Sequence, residues 1–168
     1  MMKIALIPNM TRRNTPDVTK ELLKEFEKQY SSVKDSNKTD MDMNDIITVA
    51  SLIEREAKVA SERELISGVI QNRIEKGMAF QIDASVIYAI SDGLYDVERV
   101  LYRDLEVESP YNTYYVNSMP IGAICNPGLA SIKAAMNPKE HNYLYYHTDE
   151  GKKDGSHIFS ETFSQHIQ

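Results

Sequence analysis

The stretch from Asn44 to Gly77, NDIITVASLIEREAKVASERELISGVIQNRIEKG, limits the possible folds more than any other part of this chain, because its apolar residues recur at helical spacing. On a wheel turning about 100° per residue, Ile46, Val49, Ala50, Leu52, Ile53, Ala57, Val59 and Ala60 share one broad arc. The spacing predicts two helices meeting at Ala60-Ser61. Ser61 and Glu64 spell a capping box for the second helix, in which each side chain satisfies the other's backbone donor. Leu65, Ile66, Val69, Ile70 and Ile74 then form a buried stripe, and Gly77 is placed as the C′ stop.

Glu56 falls inside the apolar arc of the first helix, with Val49, Leu52, Ile53 and Ala60 around it. Glu54 falls at the edge of the arc, between Ala50 and Ile47, and Arg55 points away. Two readings stand for Glu56. It is either a helix-edge acid paired with Arg55, Arg63 or Arg73, or a working acid whose pKa is raised by partial burial, as a general acid near neutral pH requires.

The length of 168 residues allows one domain with a real core, or one domain and part of a second. With 42% apolar and 26% charged residues the chain is globular in composition, and a net charge of −6 argues against a nucleic-acid surface. A single cysteine, Cys125, forms no internal disulfide and reads as a small apolar filler; the histidines at 141, 147, 157 and 166 have no metal-ligand spacing. No run approaches the roughly 18 apolar residues of a membrane helix, so the chain itself is expected to be soluble.

Around this central stretch, Ile4 to Ile7 reads as a short strand. A helix is expected from Thr15-Pro16 to about Tyr30, with Leu22, Leu23 and Phe26 inward. Ser31 to Asp42 is a polar linker candidate, which divides the chain into an N-terminal segment (1–40) and a main domain (41–168). After Gly77, Phe80 and Ile82 alternate with Gln81 and Asp83, which puts the two polar side chains on one side; Asp83 is also a candidate N-cap for the helix that follows. Ser109 to Val116 holds hydroxyls and aromatic faces with no charge, suited either to a sugar or to an edge strand with half-buried tyrosines. A brief helix is expected over Leu129 to Met136, a hairpin joins His141–His147 to His157–Phe159, and a helix starts at Glu161. Helices over about 16–90 and short antiparallel strands after them make the fold class α+β.

The order of motifs resembles the YceG-like family, the endolytic murein transglycosylases of the MltG type. The likeness lies in Ala50-Ser51-Leu52-Ile53-Glu54-Arg55-Glu56, Ser61-Glu62-Arg63, Asn72-Arg73, Gln81-Ile82-Asp83, Val86-Ile87-Tyr88 and Ser109 to Tyr114. It continues through Pro120-Ile121-Gly122, Pro127-Gly128, Ser131 to Ala135, Asn137-Pro138 and Tyr143 to Tyr146. Ile82-Asp83-Ala84-Ser85 stands where that family often has Thr-Asp-Pro-Thr. The resemblance implies that 41–168 is a transglycosylase catalytic domain with Glu56 as the catalytic acid and Tyr114 in the active site. It places Gln81, Asp83 and Asn112 as substrate-binding residues lining the cleft, and it implies no metal and no cofactor.

The chemistry implied is cleavage of the MurNAc-β-1,4-GlcNAc bond of nascent peptidoglycan strands, leaving 1,6-anhydro-MurNAc ends. The muramyl C6 hydroxyl is an internal nucleophile, so no second carboxylate is needed; if Asp83 activated water instead, the reaction would be hydrolysis. Family members carry an N-terminal membrane helix and a small glycan-binding-like region that this sequence lacks. A longer native protein is therefore expected at the extracytoplasmic face of the cell membrane, with peptidoglycan strands as substrate and peptidoglycan synthases as neighbours. Two rivals remain: a non-catalytic glycan-binding module on the same fold, and a pyridoxal-phosphate-dependent aminodeoxychorismate lyase. The lyase needs a Schiff-base lysine and a phosphate cradle that the sequence does not spell.

Overall fold

The computed structural model describes residues 15–168 apart from Asp96 and Glu98, with side chains from Lys20 onward; the strand expected at Ile4 to Ile7 lies outside them. Six helices are present among these residues: α1 (Thr15–Ser31), α2 (Met43–Glu56), α3 (Arg63–Glu75), α4 (Asp83–Ser91), α5 (Leu129–Met136) and α6 (Phe163–His166). Two strands, β1 (Tyr145–Thr148) and β2 (His157–Ser160), pair antiparallel with Tyr146 opposite Phe159. The fold is α+β, as the sequence reading has it.

α2 is the centre of the core. Asp42 caps it by accepting from the Asp45 N–H, and α3, α4 and α5 pack around it. The apolar arc is buried from Ile46 to Ala57, but Val59 is half-buried and Ala60 exposed, because the helix ends at Glu56. Thr48 and Ser51 on the opposite side are buried too and turn their hydroxyls back to the carbonyls of Asn44 and Thr48. A helix surrounded on all sides tolerates hydroxyls only when they find such partners. Ser51 also accepts from the Ile124 N–H at 3.0 Å, and the Cys125 thiol contacts the Ser51 carbonyl. Burial pushes that thiol up to about 11, so Cys125 is the inert filler its setting suggested.

The helices do not meet at Ala60-Ser61. α2 stops at Glu56, Ala57 is extended, and a single 3-10 turn, Ala60–Glu62, leads into α3. The Ser61–Glu64 capping box is not formed, because the chain enters α3 one residue later than the box requires. Instead Glu62 is buried and accepts from the backbone N–H and the ring Nδ1 of His157, at 3.0 and 2.7 Å, which ties β2 to the connector. The other end of α3 agrees with the sequence. Gly77 has φ +63, its N–H bonds to the Ile74 carbonyl, and the Met78 N–H bonds to the Arg73 carbonyl, a Schellman stop. Ile74 is exposed and leaves the buried stripe at this end.

In α1, Phe26 and Tyr30 pack on the core while Leu22 is exposed, contrary to its expected inward orientation, because only the last turns of α1 reach the core. The polar segment after α1 buries Val33, and its Lys38 N–H bonds to the Met136 carbonyl at 2.9 Å. The run 139–144 lies along α3, where a Cβ on Gly68 would collide with the Lys139 carbonyl and the His141 ring. Asn72 holds it there, donating to the carbonyls of His141 and Tyr143 at 2.8 and 2.9 Å.

Candidate active site

Three pieces of chain, distant in sequence, converge on the C-terminal end of α2. The first is α2 itself, whose last residue is Glu56. The second is the N-terminus of α4 with the preceding residues 79–82. The third is β1, whose Tyr146 hydroxyl donates to Glu56 Oε2 at 3.1 Å. The backbone of Ala84, in the first turn of α4, also favours the charged carboxyl, as the positive end of a helix does.

Burial is the largest influence on Glu56 and raises its pKa above the ordinary glutamate value. The Asp83 charge adds to the rise, while Tyr146, His157 and the Ala84 backbone oppose it. Its side-chain hydrogen bond comes from the Tyr146 hydroxyl, and loss of solvent, the condition the second reading of this residue expects, is what raises its pKa. Glu54, two residues earlier, has a different task. It accepts from the Gly128 N–H and the Ser131 hydroxyl, at 3.2 and 2.6 Å, and so caps α5, whose own N-cap position is a glycine.

Asp83 does not cap α4; it is the first helical residue and stays exposed. Its carboxylate accepts from the Tyr114 hydroxyl at 2.7 Å. Tyr114 is delivered by the 109–116 segment, which is a series of turns rather than a strand. Thr113 anchors it on α4: its hydroxyl accepts from the Ile82 N–H at 2.9 Å and lies 2.8 Å from the Ser85 hydroxyl. Burial, then the Asp83 hydrogen bond and charge, hold the Tyr114 phenol well above its usual range, so it remains a neutral donor. Gln81 and Asp83 are exposed while Phe80 and Ile82 are buried, the alternation expected from the sequence.

Asn112 sits elsewhere than the cleft lining assigned to it. It is fully buried, its amide donates to the carbonyls of Leu105 and Val107 at 2.9 and 2.8 Å, and its oxygen accepts from the Tyr114 N–H. With donors and acceptor engaged by backbone, it braces Tyr114 from behind and has no polar atom to offer a ligand.

Arg73, named from the sequence only as a candidate partner of Glu56, and Tyr146 hold the site in ways that sequence reasoning missed. Arg73 is 6% exposed, and its Nε donates to the Leu144 carbonyl at 2.7 Å while Nη1 donates to the carbonyls of Ala79 and Phe80. One guanidinium therefore joins the two straps that carry Gln81 and Tyr146. Its Cζ also lies 5.3 Å from the Tyr145 ring centre. Periodicity gives no hint of this, since a bond between positions 73 and 144 exists only in the folded chain.

The sequence profile of the YceG-like family matches residues 7–168. The chain belongs to the YceG-like family. A relative from Bacillus subtilis (strain 168), named endolytic murein transglycosylase, is 37% identical over 167 residues, which is 96% of this chain and 45% of the relative. A relative of the same name from Streptococcus pneumoniae serotype 2 (strain D39) is 33% identical over 128 residues, 73% of this chain and 22% of its own. The crystal structure of a yceG-like protein from Listeria monocytogenes superposes with a TM-score of 0.69 at 32% identity, covering 90% of this chain and 45% of that one. The chain thus spans less than half the length of these relatives. No helix among its described residues is long and apolar enough to cross a membrane.

As a YceG-like site, the cluster has one strained member. Gln81 adopts φ +54, a left-handed conformation that disfavours a residue with a Cβ by about 1 kcal/mol. Its N–H is held by the Thr113 carbonyl at 3.1 Å and its side-chain oxygen lies 3.5 Å from Arg73 Nη1. Strain kept at an exposed polar residue of the cluster points to a task for the side chain. Gln81→Gly is expected to melt within about 3 °C of the parent, since relief of strain offsets the looser unfolded chain, yet to cleave substrate about tenfold more slowly. Scanning calorimetry and an activity assay on the same preparation check both halves.

Proposed function

We propose that this chain is the catalytic part of a peptidoglycan lytic transglycosylase, with residues 41–168 carrying the chemistry. The observation that supports this best is Glu56: a half-buried carboxyl, raised in pKa by its loss of solvent, set beside Asp83 and Tyr114. The name shared by the relatives from Bacillus and Streptococcus agrees with it.

The bond cut is the β-1,4 link from MurNAc to GlcNAc in nascent strands. Glu56 gives its proton to the leaving GlcNAc oxygen as the C1–O bond breaks. The carboxylate then takes the proton of the muramyl C6 hydroxyl while O6 bonds to C1, leaving a 1,6-anhydro end and restoring the acid. Because the nucleophile belongs to the same sugar, a single carboxyl serves as acid and then as base. Gln81, Asp83 and Tyr114 line the glycan side, with Asp83 and Tyr114 presenting a hydrogen-bonded pair to the sugar hydroxyls. Asn112 positions Tyr114 without touching substrate. In the longer native protein this unit works at the extracytoplasmic face of the membrane, close to the synthases that make the strands.

Mass spectrometry of peptidoglycan digested with this chain tests the reading. Anhydromuramyl ends are the expected product. Reducing ends would replace transglycosylation by hydrolysis, with Asp83 activating water, and intact strands that nonetheless bind the protein would replace catalysis by a glycan-binding role.

A further inference from the structure

We propose that Tyr146 is a positioning residue for the acid. Its hydroxyl holds one oxygen of Glu56 so that the carboxyl keeps a single orientation through both its protonated and its charged state. The inference rests on the reading of Glu56 as the acid, and nothing in the sequence reading assigned Tyr146 a part.

The geometry has three components. The hydroxyl donates to Glu56 Oε2 at 3.1 Å, long for an O–H···O bond and of the kind that tightens when substrate closes a site. The ring is fixed: His157 meets it edge-on with centres 5.3 Å apart, and Phe159, its cross-strand partner, packs at 5.9 Å. The backbone is fixed too, because the Leu144 carbonyl two residues earlier is held by Arg73 and the Leu144 N–H by the Ser160 carbonyl. His157 is in turn clamped by Glu62. A donor this immobile does more than fill space.

Its chemical effect follows from the charge it meets. Burial drives Glu56 toward the neutral form, which suits the first proton transfer and hinders the second, where the carboxylate must persist long enough to act as base. A neutral phenol donor stabilises that carboxylate without adding a charge that would make Glu56 a permanent anion. The burial of Tyr146 and the neighbouring Glu56 charge keep the phenol itself far from ionising, so the donor is present at every working pH.

The test is a 13C titration of the Glu56 carboxyl in the free protein, in parent and Tyr146→Phe, followed by pH–rate profiles on peptidoglycan. Losing the donor raises the Glu56 midpoint, moves the alkaline limb of the rate profile to higher pH, and lowers the maximal rate by about tenfold to a hundredfold. Phe159→Leu, which loosens the same ring cluster and keeps the hydroxyl, lowers the melting temperature and leaves the Glu56 midpoint where it was. An unmoved or lowered midpoint in folded Tyr146→Phe overturns the proposal. In the parent protein, the 13Cζ resonance of Tyr146 follows the Glu56 titration and loses that step in Glu56→Gln; a resonance indifferent to Glu56 also overturns it, whatever becomes of the Phe variant. A raised Glu56 midpoint in a protein that cuts no glycan leaves the contact standing and removes the transglycosylase reading instead.

Discussion

Glu56→Gln loses glycan cleavage by about 10³-fold or more, the upper range for removing a general acid that also serves as base, and becomes more stable as it does so. The sign of the second effect follows from proton linkage. Glu56 has a higher pKa folded than unfolded, so the folded state binds the proton more tightly. Stability therefore falls as pH rises from the ordinary glutamate range into the raised range of Glu56, and the penalty is constant above it. Gln carries no such penalty and keeps the neutral shape. Thermal melts of parent and variant should coincide at acid pH, below the ordinary carboxyl range, and separate near neutrality with the variant higher. A site residue that destabilises its own fold is the usual mark of an environment arranged for chemistry. Coincident melts at all pH values would mean that Glu56 titrates normally, and the acid assignment would go with them.

Arg73→Met gives the second large effect, and on stability first. The methionine fills much of the volume but leaves the carbonyls of Leu144, Ala79 and Phe80 without their donor. Each such loss costs about 1–2 kcal/mol, or about 3–6 kcal/mol together. That is a large part of the stability of a domain this size. Arg73→Lys keeps the charge but gathers its donors on a single nitrogen that cannot bridge both straps, so it should lose about half as much. Urea unfolding measures both. Activity falls in parallel, because Gln81 and Tyr146 sit on the straps that Arg73 joins.

The helical elements could be read from the sequence wherever local pattern and burial coincide. α2 has sharp apolar periodicity and lies in the core, and α5, short and mostly apolar, spans the residues expected of it, Leu129 to Met136. The Gly77 stop is a local event and was visible for the same reason. The capping box failed because Glu62 and His157, far apart in sequence, outcompete it for control of the connector. The site divides along the same line. Glu56 stood out because an acid on an apolar arc violates a local rule. Asn112 was misplaced because a buried asparagine bracing a turn and an exposed one binding sugar have the same letters around them. The roles of Arg73 and Tyr146 were invisible since their partners lie 71 and 90 residues away.

That last separation has a consequence for how the protein comes to exist. At ribosomal rates of about 5–20 residues per second, the 90 residues between Glu56 and Tyr146 take roughly five to twenty seconds to synthesise. During that interval α2, α3 and α4 have been made, but the hairpin that completes the burial of the carboxyl has not. Contacts this remote are also the slowest to form once the chain is free. The growing chain thus passes through a long stage in which Glu56 lacks the Tyr146 contact, and its surroundings are complete only when the last strand docks.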